Sequence, residues 1–166
     1  PAFCIIRRKP MFYVLCIAIV AGIVALDQVV KALICANIAV GETMSFLPGV
    51  MHLTQLHNEG AAFSILVGQR WPLILLTFVY LAVVVILIAK KVLRRRSELI
   101  SLAVVTGGAI GNLIDRIAHG YVVDMFALDL FQFPVFNVAD IFVVCGGIAF
   151  CIAFLLPNKS EARHDR

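Results

Sequence analysis

Two aspartates in apolar surroundings are the residues of this sequence best suited to chemistry. Asp124 follows a His-Gly turn in the string YVVDMF, and Asp140 lies in FNVADIF, three residues after Asn137. Two carboxylates that lie close together cannot both ionise, so they share one proton. The ionised carboxylate can take a proton from water while the protonated one polarises a carbonyl, which is aspartic-protease chemistry. Each residue also has a structural interpretation, Asp124 as a helix cap and Asp140 as a first-turn acid.

Other polar residues occur in groups at helical spacing. Asp27 and Lys31 are four residues apart, which places them on one helix face, where they can form a structural ion pair. Asn112, Asp115 and Arg116 also share one face. Their amide and guanidinium groups could orient a backbone or stabilise an oxyanion. The alternative is helix packing with one satisfied Asp–Arg pair.

The sequence lacks the motifs of other catalytic mechanisms. It contains no GxSxG nucleophile elbow, no HExxH string and no glycine loop of the Walker or dinucleotide type. The four histidines are scattered, and the five cysteines are odd in number with no CxxC pair. We therefore expect the cysteines to be buried small hydrophobic residues that form neither a disulfide framework nor a metal site.

Membrane-spanning helices must position these polar residues. Of 166 residues, 62% are hydrophobic and 14% charged, and the mean hydropathy is +1.01. A soluble domain of this size could not bury so much apolar surface, and disordered chains are poor in apolar residues. Four apolar segments approach the roughly 20 residues that a helix needs to cross the hydrocarbon core. These segments are 11–34, 71–89, 99–117 and 136–156. In the third, Gly107, Gly108 and Gly111 allow another backbone to approach closely.

The basic residues alternate with the predicted spans. Eleven of the 14 Lys and Arg residues lie before the first span, between the second and third, or after the fourth. By the positive-inside rule both termini are then cytoplasmic, and segments 35–70 and 118–135 lie on the outer side. The two aspartates are accordingly expected near the outer leaflet. The membrane topology accounts for the excess of basic over acidic residues, so no nucleic-acid partner is needed to explain it.

The sequence of the outer segment 41–70 predicts secondary structure outside the four spans. The string VMHLTQL at 50–56 alternates as a half-buried strand does, and 61–66 is suited to a short amphipathic helix lying in the interface. The predicted fold is thus a membrane all-α protein with four transmembrane helices, a small outer-side β-sheet and a short interfacial helix. We treat 1–166 as a single domain.

The first span is predicted to be retained and not cleaved as a signal peptide. Its apolar run exceeds 20 residues and shows no clear small-x-small cleavage site. Met11 is a second candidate for the natural start, in which case residues 1–10 are foreign to the natural chain or flexible. The sequence leaves both starts open.

Five strings occur in a fixed order along the chain. They are DQVVK at 27–31, NEGAAFS at 58–64, GGAIGNLIDR at 107–116, VVD at 122–124 and FNVAD at 136–140. Together they resemble the motif blocks of the bacterial lipoprotein signal peptidase family, also called signal peptidase II. DQxxK alone is a weak signal, but the ordered set covers nearly the whole chain from about residue 11 to 156.

The resemblance implies a four-span aspartic endopeptidase of the bacterial inner membrane. Such an enzyme removes the signal peptide from diacylglyceryl-modified prolipoproteins by cutting before the lipidated cysteine. Asp124 and Asp140 match the family's catalytic pair. The positions that match its substrate-binding residues are Asn58, Gly60, Asn112, Arg116 and Asn137. The motif positions interpreted as structural support are Asp27, Lys31 and Asp115.

The resemblance also implies partners. They are the lipid-modified prolipoprotein, membrane lipids and globomycin-type cyclic peptide inhibitors, and the chain is expected to be a monomer. No metal or organic cofactor is implied.

Two other classes stay open from the residues alone. Intramembrane acids also line proton and ion routes, so the chain could be a small transporter or an ion-pathway subunit. The absence of an internal repeat and the clustering of polar groups at one depth disfavour that class. In a membrane scaffold, the third class, the aspartates would serve stability only.

Overall fold

Four long helices and a small sheet form the computed structural model, which describes residues 10–60, 68–93 and 95–156. The elements in chain order are α1 Pro10–Asn37, β1 Thr43–Leu47, β2 Met51–Asn58, α2 Arg70–Ala89, α3 Arg96–Ala118, β3 Val122–Leu128 and α4 Val138–Leu155. Each helix is long and apolar enough to cross a membrane. The four predicted spans are confirmed to within three residues at each end. The chain is therefore a multi-pass membrane protein.

Helix α3 lies at the centre and contacts the three other helices. Its glycines face these neighbours. A Cβ atom at Gly107 would lie 2.8 Å from the Cβ of Ile23 on α1, and one at Gly108 would overlap the carbonyl oxygen of Ala139 on α4. The predicted close approach at these glycines is confirmed, and it brings the polar residues of three helices within hydrogen-bonding reach of one another.

The sheet is antiparallel with strand order β1-β2-β3. The strand predicted at 50–56 is confirmed within β2. In the pairing of β2 with β3, Leu56 lies opposite Asp124 and Asn58 opposite Val122. This register brings the C-terminal end of β2 next to the first half of β3.

Strand β3 was not predicted, and the interpretation of Asp124 as a helix cap is wrong. The string VVDMFAL is buried on both faces over most of its length, so it lacks the alternation that marks a half-buried strand. Ile34 of α1 and Ile38 just after it pack against Val123 and Met125, which fixes β3 on the end of the helix bundle. The predicted interfacial helix at 61–66 lies outside the described residues.

Candidate functional site

The first half of β3 and the start of α4 bring Asp124 and Asp140 together around one residue, Asn137. The Asn137 side-chain oxygen accepts a hydrogen bond from the Asp140 backbone N–H at 2.9 Å. Its own backbone N–H donates to Asp140 Oδ2 at 3.1 Å, which completes a capping box at the start of α4. The Asn137 Nδ2 group donates to Asp124 Oδ1 at 2.6 Å. A single, fully buried asparagine thus holds both carboxylates.

Asn112 of α3 supports the same pair from the opposite direction. Its Nδ2 group donates to Asp140 Oδ1 at 2.7 Å. Its Oδ1 atom accepts from Lys31 Nζ at 3.0 Å and from Asn137 Nδ2 at 3.1 Å. Since an ammonium can only donate, Lys31 determines which end of the Asn112 amide points at Asp140.

Asn58, Gly60 and Arg116 form the side of the site near β2. Asn58 Nδ2 donates to Asp124 Oδ2 at 2.8 Å, and Asn58 Oδ1 accepts from the Gly60 backbone N–H at 2.9 Å. Arg116 Nη2 donates to the Gly60 carbonyl oxygen at 3.0 Å. The three predicted substrate-binding residues of this side are therefore joined to one another and to Asp124.

A buried ion cluster lies directly behind the two aspartates. Lys31 Nζ lies 2.8 Å from Asp27 Oδ2 and 2.8 Å from Asp115 Oδ2, and all three side chains are at most 4% exposed. Asp27 Oδ1 accepts from the backbone N–H of Ala139, and Asp115 Oδ2 accepts from that of Val123. These two amides belong to the residues that precede Asp140 and Asp124, so the cluster fixes the backbone at both carboxylates.

The predicted ion pair of Asp27 with Lys31 is confirmed, whereas the alternative pairing of Asp115 with Arg116 is wrong. Asp115 instead forms its ion pair with Lys31 of α1, which reaches across to α3. Sequence reasoning also missed Gln28, whose Nε2 group donates to Asp115 Oδ1 at 2.8 Å. The signal for Gln28 was its place inside the DQVVK string.

A cleft of about 820 Å³ opens onto the two aspartates. Its polar lining residues are His57, Asn58, Glu59, Asn112, Arg116, Asp124, Asn137 and Asp140. Its other lining residues are Leu56, Val122, Phe133, Pro134, Val135, Phe136, Ile141, Val143, Val144 and Cys145. The cleft therefore combines a polar end with an apolar wall, as a site for a partly apolar chain requires. His57, Glu59 and the aromatic residues before α4 were not singled out by sequence reasoning.

Burial raises the pKa of the Asp124 carboxyl to about 6, and the nearby charge of Asp140 acts in the same direction. The amide donors of Asn58 and Asn137 oppose this shift by stabilising the carboxylate. Asp124 can consequently keep a proton at a pH where an ordinary aspartate is ionised. Within the described ranges, no three His, Cys, Asp or Glu side chains come together as a metal-binding group.

Comparison with known proteins finds related sequences along most of the chain. The model of the family described as signal peptidase (SPase) II matches residues 19–156. The lipoprotein signal peptidase of Lactococcus lactis subsp. lactis (strain IL1403) is 41% identical over 145 residues, which are 87% of this chain and 95% of that protein. That of Enterococcus faecalis (strain ATCC 700802 / V583) is 42% identical over 140 residues, 84% of this chain and 87% of that protein.

Solved structures show the same likeness. A bacterial membrane enzyme determined by the in meso method at 2.3 Å resolution superposes with a TM-score of 0.79 at 31% identity, covering 84% of this chain and 87% of that chain. A second, at 1.9 Å resolution, gives a TM-score of 0.78 at 30% identity, with 86% and 94% covered.

Fold and comparisons together define a membrane-embedded peptidase. The chain belongs to the signal peptidase II family. The alternative of a small transporter or ion-pathway subunit is not favoured, because both the family model and the relatives are peptidases.

Proposed function

We propose that this member of the signal peptidase II family, which removes signal peptides from prolipoproteins, is an aspartic endopeptidase with Asp124 and Asp140 as its catalytic pair. The observation that carries the proposal is the bonding of Asn137 to both carboxylates at the floor of the cleft. Held in this way, the two carboxylates sense each other's charge and can share one proton.

In the proposed reaction we assign the shared proton to Asp124, whose pKa burial raises to about 6. Asp140 takes a proton from a water molecule, whose oxygen attacks the scissile carbonyl carbon while Asp124 protonates the carbonyl oxygen. The tetrahedral intermediate then collapses. Asp140 returns its proton to the departing amide nitrogen as the C–N bond breaks, and Asp124 regains its proton from the hydroxyl that becomes the new carboxyl group.

The neighbouring polar residues divide into two roles in this proposal. Asn112 and Asn137 are positioning residues, since their amides are occupied in holding the two carboxylates. Asn58 and Arg116 line the cleft, and Gly60 ties them together through its backbone. The Arg116 guanidinium is the group best placed to bind a substrate carbonyl or the developing oxyanion.

The proposed substrate is a prolipoprotein whose cysteine carries a diacylglyceryl group, and the cut falls just before that cysteine. An apolar signal helix that carries a lipid reaches the site by diffusion within the membrane. The apolar wall of the cleft near Ile141 and Val144 suits such a substrate. Globomycin-type cyclic peptides, which resemble a blocked substrate, are expected to compete for the same cleft.

We further propose that the chain acts as a monomer in the bacterial inner membrane. Both termini lie in the cytoplasm and the active site lies near the outer leaflet. The supporting observation is the cluster of basic residues between α2 and α3, on the side of the bundle opposite the sheet.

The test is cleavage of two matched prolipoproteins by the purified protein in detergent, with the products weighed by mass spectrometry. One substrate carries the diacylglyceryl group on its cysteine and the other carries an unmodified cysteine. We expect a cut before the cysteine in the first substrate only, and we expect it to persist with a metal chelator and with serine-directed reagents. Loss of cleavage with either reagent, or a cut at another bond, would contradict the proposal.

A further inference from the structure

Glu59 is an exposed acidic residue on the lining of the cleft. It follows Asn58, the last residue of β2, and precedes Gly60. Among the residues that the structure describes, it has no hydrogen bond and no ion pair. The family resemblance assigned roles to Asn58 and Gly60 but none to the residue between them, so the carboxylate of Glu59 is unexplained.

The cleft has a direction that tells which part of a substrate would meet Glu59. Helix α4 begins beside Asp140 and runs into the membrane, so Ile141 and Val144 form a wall on the membrane side of the catalytic pair. Glu59 follows Asn58, which donates to Asp124, so it lies on the Asp124 side of the pair. With an apolar signal helix packed on the α4 wall, the chain that follows the cut continues toward the Asp124 side of the pair, where Glu59 lies.

The charges of the cleft leave Glu59 uncompensated. With one shared proton, Asp124 and Asp140 together carry one negative charge, and Arg116 supplies one positive charge beside them. The negative charge of Glu59 is then in excess among the residues that line the cleft. In a cleft of this kind an excess charge attracts substrates of the opposite sign.

A flat surface lies next to this carboxylate. The His57 ring stacks on the Tyr121 ring with centroids 3.8 Å apart and an interplanar angle of 15°. His57 lines the cleft two residues before Glu59, so this stack forms part of the cleft lining next to Glu59. The methylene stem of a lysine, or the plane of an arginine guanidinium, can lie along such a ring while its charge reaches a carboxylate.

We propose that Glu59, with His57 beside it, is a subsite for a positively charged side chain in the first residues after the lipidated cysteine. The inference rests on the proposed function, because it needs the direction in which the substrate crosses the catalytic pair. It makes Glu59 a specificity-determining residue with no part in bond cleavage itself.

The test compares three lipidated substrates that differ only in the second residue after the cysteine, which is Lys, Gln or Glu. The ratio of kcat/KM for the Lys and Glu substrates is measured with the wild type, Glu59→Gln and Glu59→Lys. We expect the wild type to prefer Lys by about two- to fivefold at low salt, as is typical of an exposed charge pair. The preference should shrink at 0.5 M salt, vanish in Glu59→Gln and invert in Glu59→Lys.

The matched control is Glu42→Gln. Glu42 is also an exposed acid near the outer sheet, but it does not line the cleft, so its loss should leave the Lys-to-Glu ratio unchanged. Equal rates for all three substrates in the wild type, or a ratio that survives in Glu59→Gln, would overturn the subsite while leaving the peptidase intact. Failure of the wild type to cut any substrate would overturn the proposed function, and the subsite with it.

Discussion

At the scale of single residues, Lys31 balances two carboxylates that are themselves shielded from water. Asp27 and Asp115 are 0% and 2% exposed, and each lies 2.8 Å from the Lys31 ammonium. A buried cluster of this kind adds little stability over a hydrophobic replacement, but the loss of one member leaves an uncompensated charge. The cluster serves mainly to position other groups, because it orients Asn112 and the backbone beside Asp124 and Asp140.

Replacement of Lys31 by Met should therefore destabilise the protein strongly. We expect a loss of about 3–5 kcal/mol in the free energy of unfolding, measured by chemical denaturation in detergent micelles. Lys90→Met is the control, because Lys90 is exposed at the end of α2 and its loss should cost no more than about 0.5 kcal/mol. Similar stabilities for the two variants would show that the loss of Lys31 leaves no uncompensated buried charge.

The raised pKa of Asp124 predicts a pH dependence. The proposed acid must be protonated, and this form is lost as pH rises through its pKa of about 6. The value of kcat/KM should then fall on the alkaline side, approaching about tenfold per pH unit. Asn58→Ala removes a hydrogen bond that lowers this pKa, so its alkaline limb should move to higher pH. An alkaline limb that is absent, or that moves to lower pH in the variant, would contradict the role of Asp124.

The sequence was sufficient to choose the residues of the candidate site but not their partners. Asp124 and Asp140 stand out because ionisable residues are rare in apolar segments. The pairing of Lys31 with Asp115 depends on how α1 and α3 are rotated against each other, which no spacing within one helix specifies. For the same reason the sequence suggested Arg116, the chain neighbour, as the partner of Asp115.

At the scale of elements, the contact between α3 and α4 sets the position of Asp140. Gly108 of α3 faces the carbonyl oxygen of Ala139 and the side chain of Val143, with no space for a Cβ atom. Small residues at such positions let transmembrane helices approach closely. The Asp140 carboxylate then reaches Asn112 on α3 at 2.7 Å.

Gly108→Ala should push α4 away from α3. We expect a cost of about 1–3 kcal/mol in stability, together with a large loss of activity, because the Asn112–Asp140 hydrogen bond depends on the close approach. Gly147→Ala on α4 is the matched control, since its Cβ atom would meet nothing within 4 Å. Unfolding midpoints and cleavage rates should separate the two variants. Equal behaviour would contradict the close packing at Gly108.

The helices could be predicted from the sequence more completely than the sheet. Twenty-residue apolar segments give a strong and local signal, and all four appear where hydropathy placed them. Strand β3 gives no such signal, because its burial on both faces removes the alternation, and its pairing with β2 joins residues far apart in the chain. The sequence thus indicates Asp124 as a candidate residue without predicting the strand that carries it.

At the scale of the whole molecule, the sheet and the cleft are proposed to lie on the outer side of the membrane. We expect a membrane-impermeant maleimide to label Ser45→Cys in right-side-out vesicles, in a chain whose native cysteines are replaced. Lys90→Cys, between α2 and α3, should be labelled only after detergent opens the vesicles. Both positions are exposed in the structure, so a difference in labelling reports the side of the membrane on which each residue lies. Labelling in the reverse pattern would contradict the positive-inside assignment.

The catalytic pair is tested most directly by the rate at which Asp124→Asn and Asp140→Asn cleave a diacylglyceryl-modified prolipoprotein. The wild type and Asp129→Asn are measured beside them. Asp129 is an exposed aspartate that pairs with His52 outside the cleft, which makes it the matched control. Because each catalytic carboxyl handles a proton in the transition state, both variants should lose at least about 10²-fold in rate while remaining folded. Asp129→Asn should retain activity. Substantial cleavage by either folded variant of the pair would contradict the aspartic mechanism.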